Sequence, residues 1–332
     1  MRSRGKLAFT LLELLVAMTI TLILAGLMLA VLTNTLRLWQ RTQEDFSASS
    51  SASLALDLIE RDLRAAVFRK DGGTWLACDV IDAPALLAPH GWLIQTGMKP
   101  AGTESRRLIP EPVDAATPLI ANVRFGLSGA WLRFLSTNVE TDGSLPMAVS
   151  YQIVRRPVSG AVASSNPAET RYTLFRSAVG SDATFATGND VTAPGYAGIS
   201  TTPSASRNPK TLMNPNSSDA LATNVVDFGV WLHLRNSDGT LRRIFPADND
   251  DLVHAARDSG GAADPNRFPE VVDVMVRILS DQGADLISEM ETGGAHLNRP
   301  AQYESDAAWW WGVVESHSRV YVRRIVLRGV TS

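Results

Sequence analysis

Hydrophobic and polar positions divide the chain into stretches of different period. From Leu14 to Leu36, 23 consecutive positions carry no charge. At about 1.5 Å per helical residue that run crosses the hydrocarbon core of a bilayer. No second run of comparable length follows, so the pattern predicts one membrane pass. Further on, Leu56, Ile59, Leu63 and Val67 recur at spacings of three and four. Asp57, Glu60, Arg61, Asp62 and Arg64 fall mostly on the opposite side, which predicts an amphipathic helix lying on a packed surface. No proline precedes Pro84, and between Phe9 and Asp71-Gly72-Gly73 only Gly26 interrupts good helix formers. One helix of about 60 residues, roughly 90 Å long, is therefore expected. The serine- and alanine-rich stretch Ser47 to Ser53 is where it is expected to fray or kink.

Beyond Gly73 the period shortens to two. Strands are expected at Asn122–Leu127, Trp131–Ser136, Ala148–Arg155, Arg171–Arg176, Val225–Leu234, Leu241–Phe245, Val271–Leu279 and Val320–Leu327. Val149, Tyr151 and Ile153 alternate with Ser150 and Gln152, and Val230, Leu232 and Leu234 with Trp231 and His233. Such alternation suits half-buried antiparallel strands with one face on the long helix. Ser128-Gly129 and Ser237-Asp238-Gly239 read as hairpin turns. The segment 180–219, rich in Ser, Thr, Asn, Gly and Pro, reads as a flexible insertion. A second irregular connection runs from Pro84 to Pro118.

Composition changes this picture little. The 332 residues are 45% hydrophobic and 20% charged with a formal net charge of −3, which excludes a strongly basic nucleic-acid binder, a collagen-like or disordered chain and a polytopic membrane protein. The neutral mean hydropathy averages an apolar helix with a polar, loop-rich remainder. Cys78 is the single cysteine, so neither an internal disulfide framework nor a zinc site of several thiolates can form. Arg2, Arg4 and Lys6 precede the apolar run with no acid among them. The positive-inside rule keeps that end in the cytoplasm and places everything after about Leu38 across the membrane. A cleaved secretory signal has a similar start, but this run is longer than a usual h-region and ends without a small-x-small site. Glu13 stands one turn into the apolar segment, where a carboxylate costs a few kcal/mol unless paired.

The stretch Lys6-Leu7-Ala8-Phe9-Thr10-Leu11-Leu12-Glu13-Leu14-Leu15-Val16-Ala17 resembles the leader junction of type IV prepilins, shared by pilins and the pseudopilins of type II secretion. The resemblance implies a short basic leader, cut before Phe9 by a prepilin peptidase that also methylates the new amine. Glu13 then occupies the fifth mature position. Its implied role is to meet the positively charged Phe9 amine of a neighbouring subunit, so that both charges are neutralised in low dielectric. One departure stands at the cut, where the family usually has glycine and this chain has Ala8. Loss of Arg2, Arg4 and Lys6 with the leader takes the side-chain charge from −3 to −6. Leu58-Ile59-Glu60-Arg61-Asp62-Leu63-Arg64-Ala65-Ala66 is similar to the end of the long helix in minor pseudopilins of the J type. Trp309-Trp310-Trp311 and Arg323-Arg324-Ile325-Val326-Leu327-Arg328 resemble the last segment of Verru-Chthon cassette prepilin-like proteins.

Enzyme chemistry finds no constellation. His90, His233, His254, His296 and His317 include no i,i+4 pair with a carboxylate between, and the Val230–Leu234 alternation puts His233 on an outer face. Asp258-Ser259-Gly260-Gly261 reads as a turn, since no ordered His and Asp elements accompany it. Neither a phosphate-cradling loop nor a GxGxxG string occurs. Asp248-Asn249-Asp250-Asp251 gathers side-chain oxygens, making Asp248, Asp250 and Asp251 the calcium candidates, but the further ligands and glycine of an EF-hand are missing and a solvated turn is expected. Trp309 to Trp311 are expected to place at least one indole in the core and to offer a partner-binding patch.

The expected fold class is α+β and pilin-like: a long N-terminal transmembrane and amphipathic helix packed on antiparallel sheet in an enlarged head. The expected divisions are a leader at 1–8, a transmembrane helix at 9–38, its amphipathic continuation at 39–70 and the head at 71–332. What the resemblance implies is a non-enzymatic minor pilin or pseudopilin without a cofactor. It would sit in the bacterial inner membrane with the head in the periplasm and pass into a type II secretion pseudopilus or type IV pilus-like filament. The partners implied are prepilin peptidase, other pilin or pseudopilin subunits, the inner-membrane assembly platform and the lipid bilayer, with no nucleic acid. The alternative is a membrane-tethered binding module that uses the same anchor and never polymerises.

Overall fold

A computed structural model describes residues 11–69, 73–80, 129–137, 145–157, 170–197, 212, 215, 217–246, 253–257, 267–291 and 298–327. By compactness the chain divides into one unit up to Ser47 and a second from Ala48 onward. A single helix, α1 (Leu11–Arg64), runs through both. It stays helical across Ser47–Ser53, where fraying or a kink is expected. Tertiary packing holds it there: Ala52 within the stretch and Ala55 just beyond it are buried in the core.

In the first unit, Leu11–Trp39 is long and apolar enough to cross a membrane, and none of it is buried within the chain. It is apolar all round, as a helix solvated by lipid on every side has to be. Its threonine hydroxyls turn back on their own helix: Thr19 donates to the Val16 carbonyl and Thr21 to Ala17, each at 2.8 Å. Thr33 and Thr35 do the same to Ala30 and Val31, at 3.0 and 2.8 Å. Each hydroxyl is thereby satisfied without a partner outside the helix.

The second unit holds two antiparallel sheets. The larger is built from β1 (Leu76–Val80), β2 (Ala130–Ser136), β3 (Met147–Pro157), β4 (Thr170–Val179), β5 (Ala220–Thr223) and β8 (Val253–Ala256), in the order β5-β4-β3-β2-β1-β8. The smaller contains β6 (Val225–Arg235), β7 (Leu241–Phe245), β9 (Val271–Leu279) and β10 (Ser318–Val326), in the order β10-β9-β6-β7. Two short helices, α2 (Ser181–Ala186) and α3 (Pro194–Ala197), follow β4, and α4 (Asp281–Glu291) and α5 (Asp306–His317) lie between β9 and β10. An apolar helix followed by antiparallel sheets makes the chain α+β with a large head, consistent with a pilin-like fold.

Seven of the eight expected strands form; Asn122–Leu127 lies outside the described residues, as does the Pro84–Pro118 connection. The half-buried expectation is corrected at β6 and β9, which are covered on both faces except at Arg235. His233 is 5% exposed instead of outward-facing. The helix also stops at Arg64, short of Asp71-Gly72-Gly73. Ala66 instead bridges to Ser136, and the Val67 amide donates to the Leu135 carbonyl at 2.8 Å, so pairing with β2 wins over helical continuation. The Ser237-Asp238-Gly239 hairpin forms as expected, with Gly239 at φ +85° and Asp238 accepting from the Thr240 amide at 2.9 Å. Within the expected flexible insertion, 180–197 is folded: Val191 and Tyr196 are buried, and Leu212 is fully so. The Leu212 carbonyl accepts from Ser150 and Gln152, both at 2.9 Å. These alternate polar residues of β3 are covered because they hold a main-chain acceptor.

Candidate functional site

The N-terminal site rests on α1. Glu13 lies in its first turn, on an exposed part of an otherwise apolar helix. A carboxylate on a lipid-facing stretch of helix is costly unless it is paired. Arg2, Arg4, Lys6, Ala8 and Phe9 lie outside the described residues.

Residues 3–29 match the family model of the prokaryotic N-terminal methylation motif. Those residues include Arg4, Lys6, Ala8, Phe9 and Glu13 and about two thirds of the apolar stretch Leu11–Trp39. The motif supports a type IV prepilin-like protein, and it implies processing by a prepilin peptidase and assembly with other pilins. Together with the apolar helix it suggests membrane anchoring, and a structural subunit rather than an enzyme. No curated protein and no solved structure matches the chain.

Where the methylation-motif helix enters the head, charged groups secure it at two places. Asp62 is fully buried. Its Oδ2 accepts from the Tyr151 hydroxyl at 2.6 Å and from Arg176 Nε at 2.7 Å, while its main-chain carbonyl accepts from Ser136 at 2.9 Å. Burial, and then the Asp62 charge, push the Tyr151 phenol well up. Burial works against the Arg176 cation, but the hydrogen bond to Asp62 and the neighbouring charges hold it more firmly protonated than usual. Toward solvent, Arg323 of β10 binds both Asp57 and Glu60, the latter at 3.0 Å, and Glu60 also pairs with Arg64 at 2.5 Å. The acids expected to line a solvated face thus divide: Asp62 points inward and pairs with the larger sheet, whereas Asp57 and Glu60 pair with an arginine of the smaller one. Helical periodicity gives no sign of Asp62, because the signal is a long-range match to Tyr151 and Arg176 on β3 and β4.

The other predicted residues scatter. Asp248, Asp250 and Asp251 lie outside the described residues, and among the described residues no group of three or more His, Cys, Asp or Glu is placed to hold a metal. Cys78 is buried and its thiol pushed well up by burial, the opposite of an activated nucleophile. His254 is also interior. Burial lowers the pKa of His233 although Asp273 stands 3.8 Å away; that carboxylate is held by two Arg324 hydrogen bonds of 2.7 Å. Trp309–Trp311 belong to α5, not to a strand, with Trp310 and Trp311 buried. Trp310 meets Tyr172 edge-on at 6.2 Å.

Proposed function

We propose that this chain is a minor pilin or pseudopilin subunit, cut between Ala8 and Phe9, N-methylated on Phe9, and assembled into a type II secretion pseudopilus or type IV pilus-like filament. The observation that carries the reading is the methylation motif at residues 3–29, set on a helix able to span a bilayer. The membrane helices pack together during assembly, and Glu13 pairs with the Phe9 amine of the next subunit. The head stays on the far side of the inner membrane and presents its surface to other minor subunits. Its size supports a minor rather than a major subunit, since the described residues alone contribute ten strands in two sheets.

Intact mass of the chain recovered from membranes of cells with an active prepilin peptidase tests the first step. The expected species starts at Phe9 and carries one added methyl group; retention of Arg2 to Ala8 would sink the processing claim. Glu13→Leu should leave membrane insertion unchanged and impair filament incorporation. Unchanged incorporation refutes the role given to Glu13. Crosslinking in membranes that traps no other prepilin-like subunit would favour a tethered module that does not polymerise.

A further inference from the structure

Across the smaller sheet, β7, β6, β9 and β10 bring a line of charged and titratable side chains onto one face. In register, Arg243 of β7 stands opposite His233 of β6, and His233 opposite Val271 of β9. Asp273 lies further along the same face of β9, and Arg324 of β10 stands opposite it. Asp273 is the one acid among these groups, and both of its oxygens are taken by Arg324: Nε donates to Oδ1 and Nη2 to Oδ2, each at 2.7 Å. His233 Nδ1 stands 3.8 Å from the same Oδ2, beyond hydrogen-bond distance. It is a buried ring nitrogen with no partner, a state that is costly unless something else offsets it. The two groups that can serve Asp273 differ in their access to water: His233 is 5% exposed, whereas the Arg324 side chain is 45% exposed.

Protonation turns this arrangement into a competition. Burial above all keeps the His233 ring neutral; Asp273 draws it toward the charged form, Arg324 and Arg243 oppose that, and the Val271 main chain supports it. When the ring takes up a proton from solvent, both nitrogens become donors and Nδ1 needs an acceptor. Asp273 Oδ2 stands within about 1 Å of hydrogen-bond range, but the imidazolium and the guanidinium then face one carboxylate and repel each other. Arg324 is the one to yield, because its guanidinium can be hydrated at the edge of the sheet while a buried imidazolium cannot. We propose that His233 is a proton-operated switch: its Nδ1–H displaces Arg324 from Asp273 Oδ2, and the guanidinium turns out to solvent beside Val322 and Val326. Those valines share the face of Arg324 and are 38% and 53% exposed. Edge strand β10 therefore changes from an apolar margin with a neutralised arginine to one that displays a positive charge. The inference concerns the head alone and stands independently of the filament reading.

The test uses the full chain, isotopically labelled, in detergent micelles. NMR follows the His233 ring nitrogens and the Arg324 Nε–H together between about pH 8 and about pH 4, a window that spans the ordinary histidine range. As the ring titrates, the Arg324 Nε resonance is expected to move to the position of a hydrated guanidinium, with the same midpoint. In His233→Gln, which cannot carry the proton, that movement should be lost. Arg324→Gln removes the competitor and should raise the midpoint of the ring by about one pH unit or more. The rise should clearly exceed that in Arg243→Gln, which removes an equal charge from β7, on the other side of His233. An Arg324 resonance that stays fixed while the ring titrates, or that still moves in His233→Gln, would overturn the proposal. So would equal rises in the two arginine variants, or a ring that remains neutral until the head unfolds, read from the tryptophan resonances of the same spectra.

Discussion

Removing the Asp62 carboxylate separates two views of how the long helix is held by the head. In Asp62→Ala, Arg176 loses its partner and Tyr151 its acceptor, both in a place closed to water on the helix side. Breaking a buried pair by deleting one member costs about 3–5 kcal/mol. Arg176 retains some access to solvent, its side chain being 19% exposed, which puts the expected loss at about 3–4 kcal/mol, Tyr151 included. For a unit of this size that lowers the melting temperature by about 6–8 °C. The assay is thermal unfolding of the full chain in detergent followed by tryptophan fluorescence, because Trp75, Trp231, Trp310 and Trp311 are all buried in the head. Helical circular dichroism would be dominated by α1, much of which detergent keeps folded. Replacing all three groups, as Asp62→Leu, Tyr151→Phe and Arg176→Met, should come within about 1–2 kcal/mol of the parent, since no charge is then left unpaired. A loss below about 1 kcal/mol in Asp62→Ala, or a triple variant as unstable as the single one, would refute the reasoning.

The exposed half of the same attachment should behave differently: Arg323→Ala is expected to cost about 0–1 kcal/mol, measured by the same melt, and the difference should vanish at high salt. His233 has its pKa lowered from the usual 6.5 by burial, so the unfolded chain takes up the proton first. Its contribution to stability is complete above pH 6.5 and declines as pH falls toward the depressed value. His233→Gln should flatten melting temperature against pH in that window, and an unchanged slope would remove His233 as the cause. Gly129 and Gly239 both have positive φ, but a Cβ at Gly129 would stand 2.5 Å from the Phe228 carbonyl oxygen, whereas at Gly239 it meets nothing. Gly239→Ala should therefore cost only about 1 kcal/mol of backbone strain and Gly129→Ala clearly more, by denaturant unfolding.

What the sequence discloses follows the range of the interaction. The membrane helix and seven strands are legible because apolar period is a local property, and the methylation motif because its spacing lies within one short stretch. β5 and β8 are only four residues long, too short to express an alternation, and β1 opens on Leu-Ala-Cys with no polar residue between; all three are recruited by pairing with neighbouring strands. α5 is hidden behind consecutive tryptophans that resemble strand residues, although Ser305 caps it by accepting from the Ala308 amide. Asp62 and Arg176 are illegible for another reason: each owes its environment to residues scores of positions away. Alternation puts Ser150 and Gln152 of β3 on the face toward water, but the distant Leu212 carbonyl meets both inside the head.

The threonines of the membrane helix have a consequence for its neighbours in lipid. With Thr19, Thr21, Thr33 and Thr35 bonded to their own backbone, their hydroxyl protons are already used within the helix and are not offered to another. Packing, more than interhelical hydrogen bonding, is then what such a surface offers to adjoining helices. Orientation in a bundle would then come from the shape of the packed side chains and from Glu13, the acidic residue in the first turn of the helix.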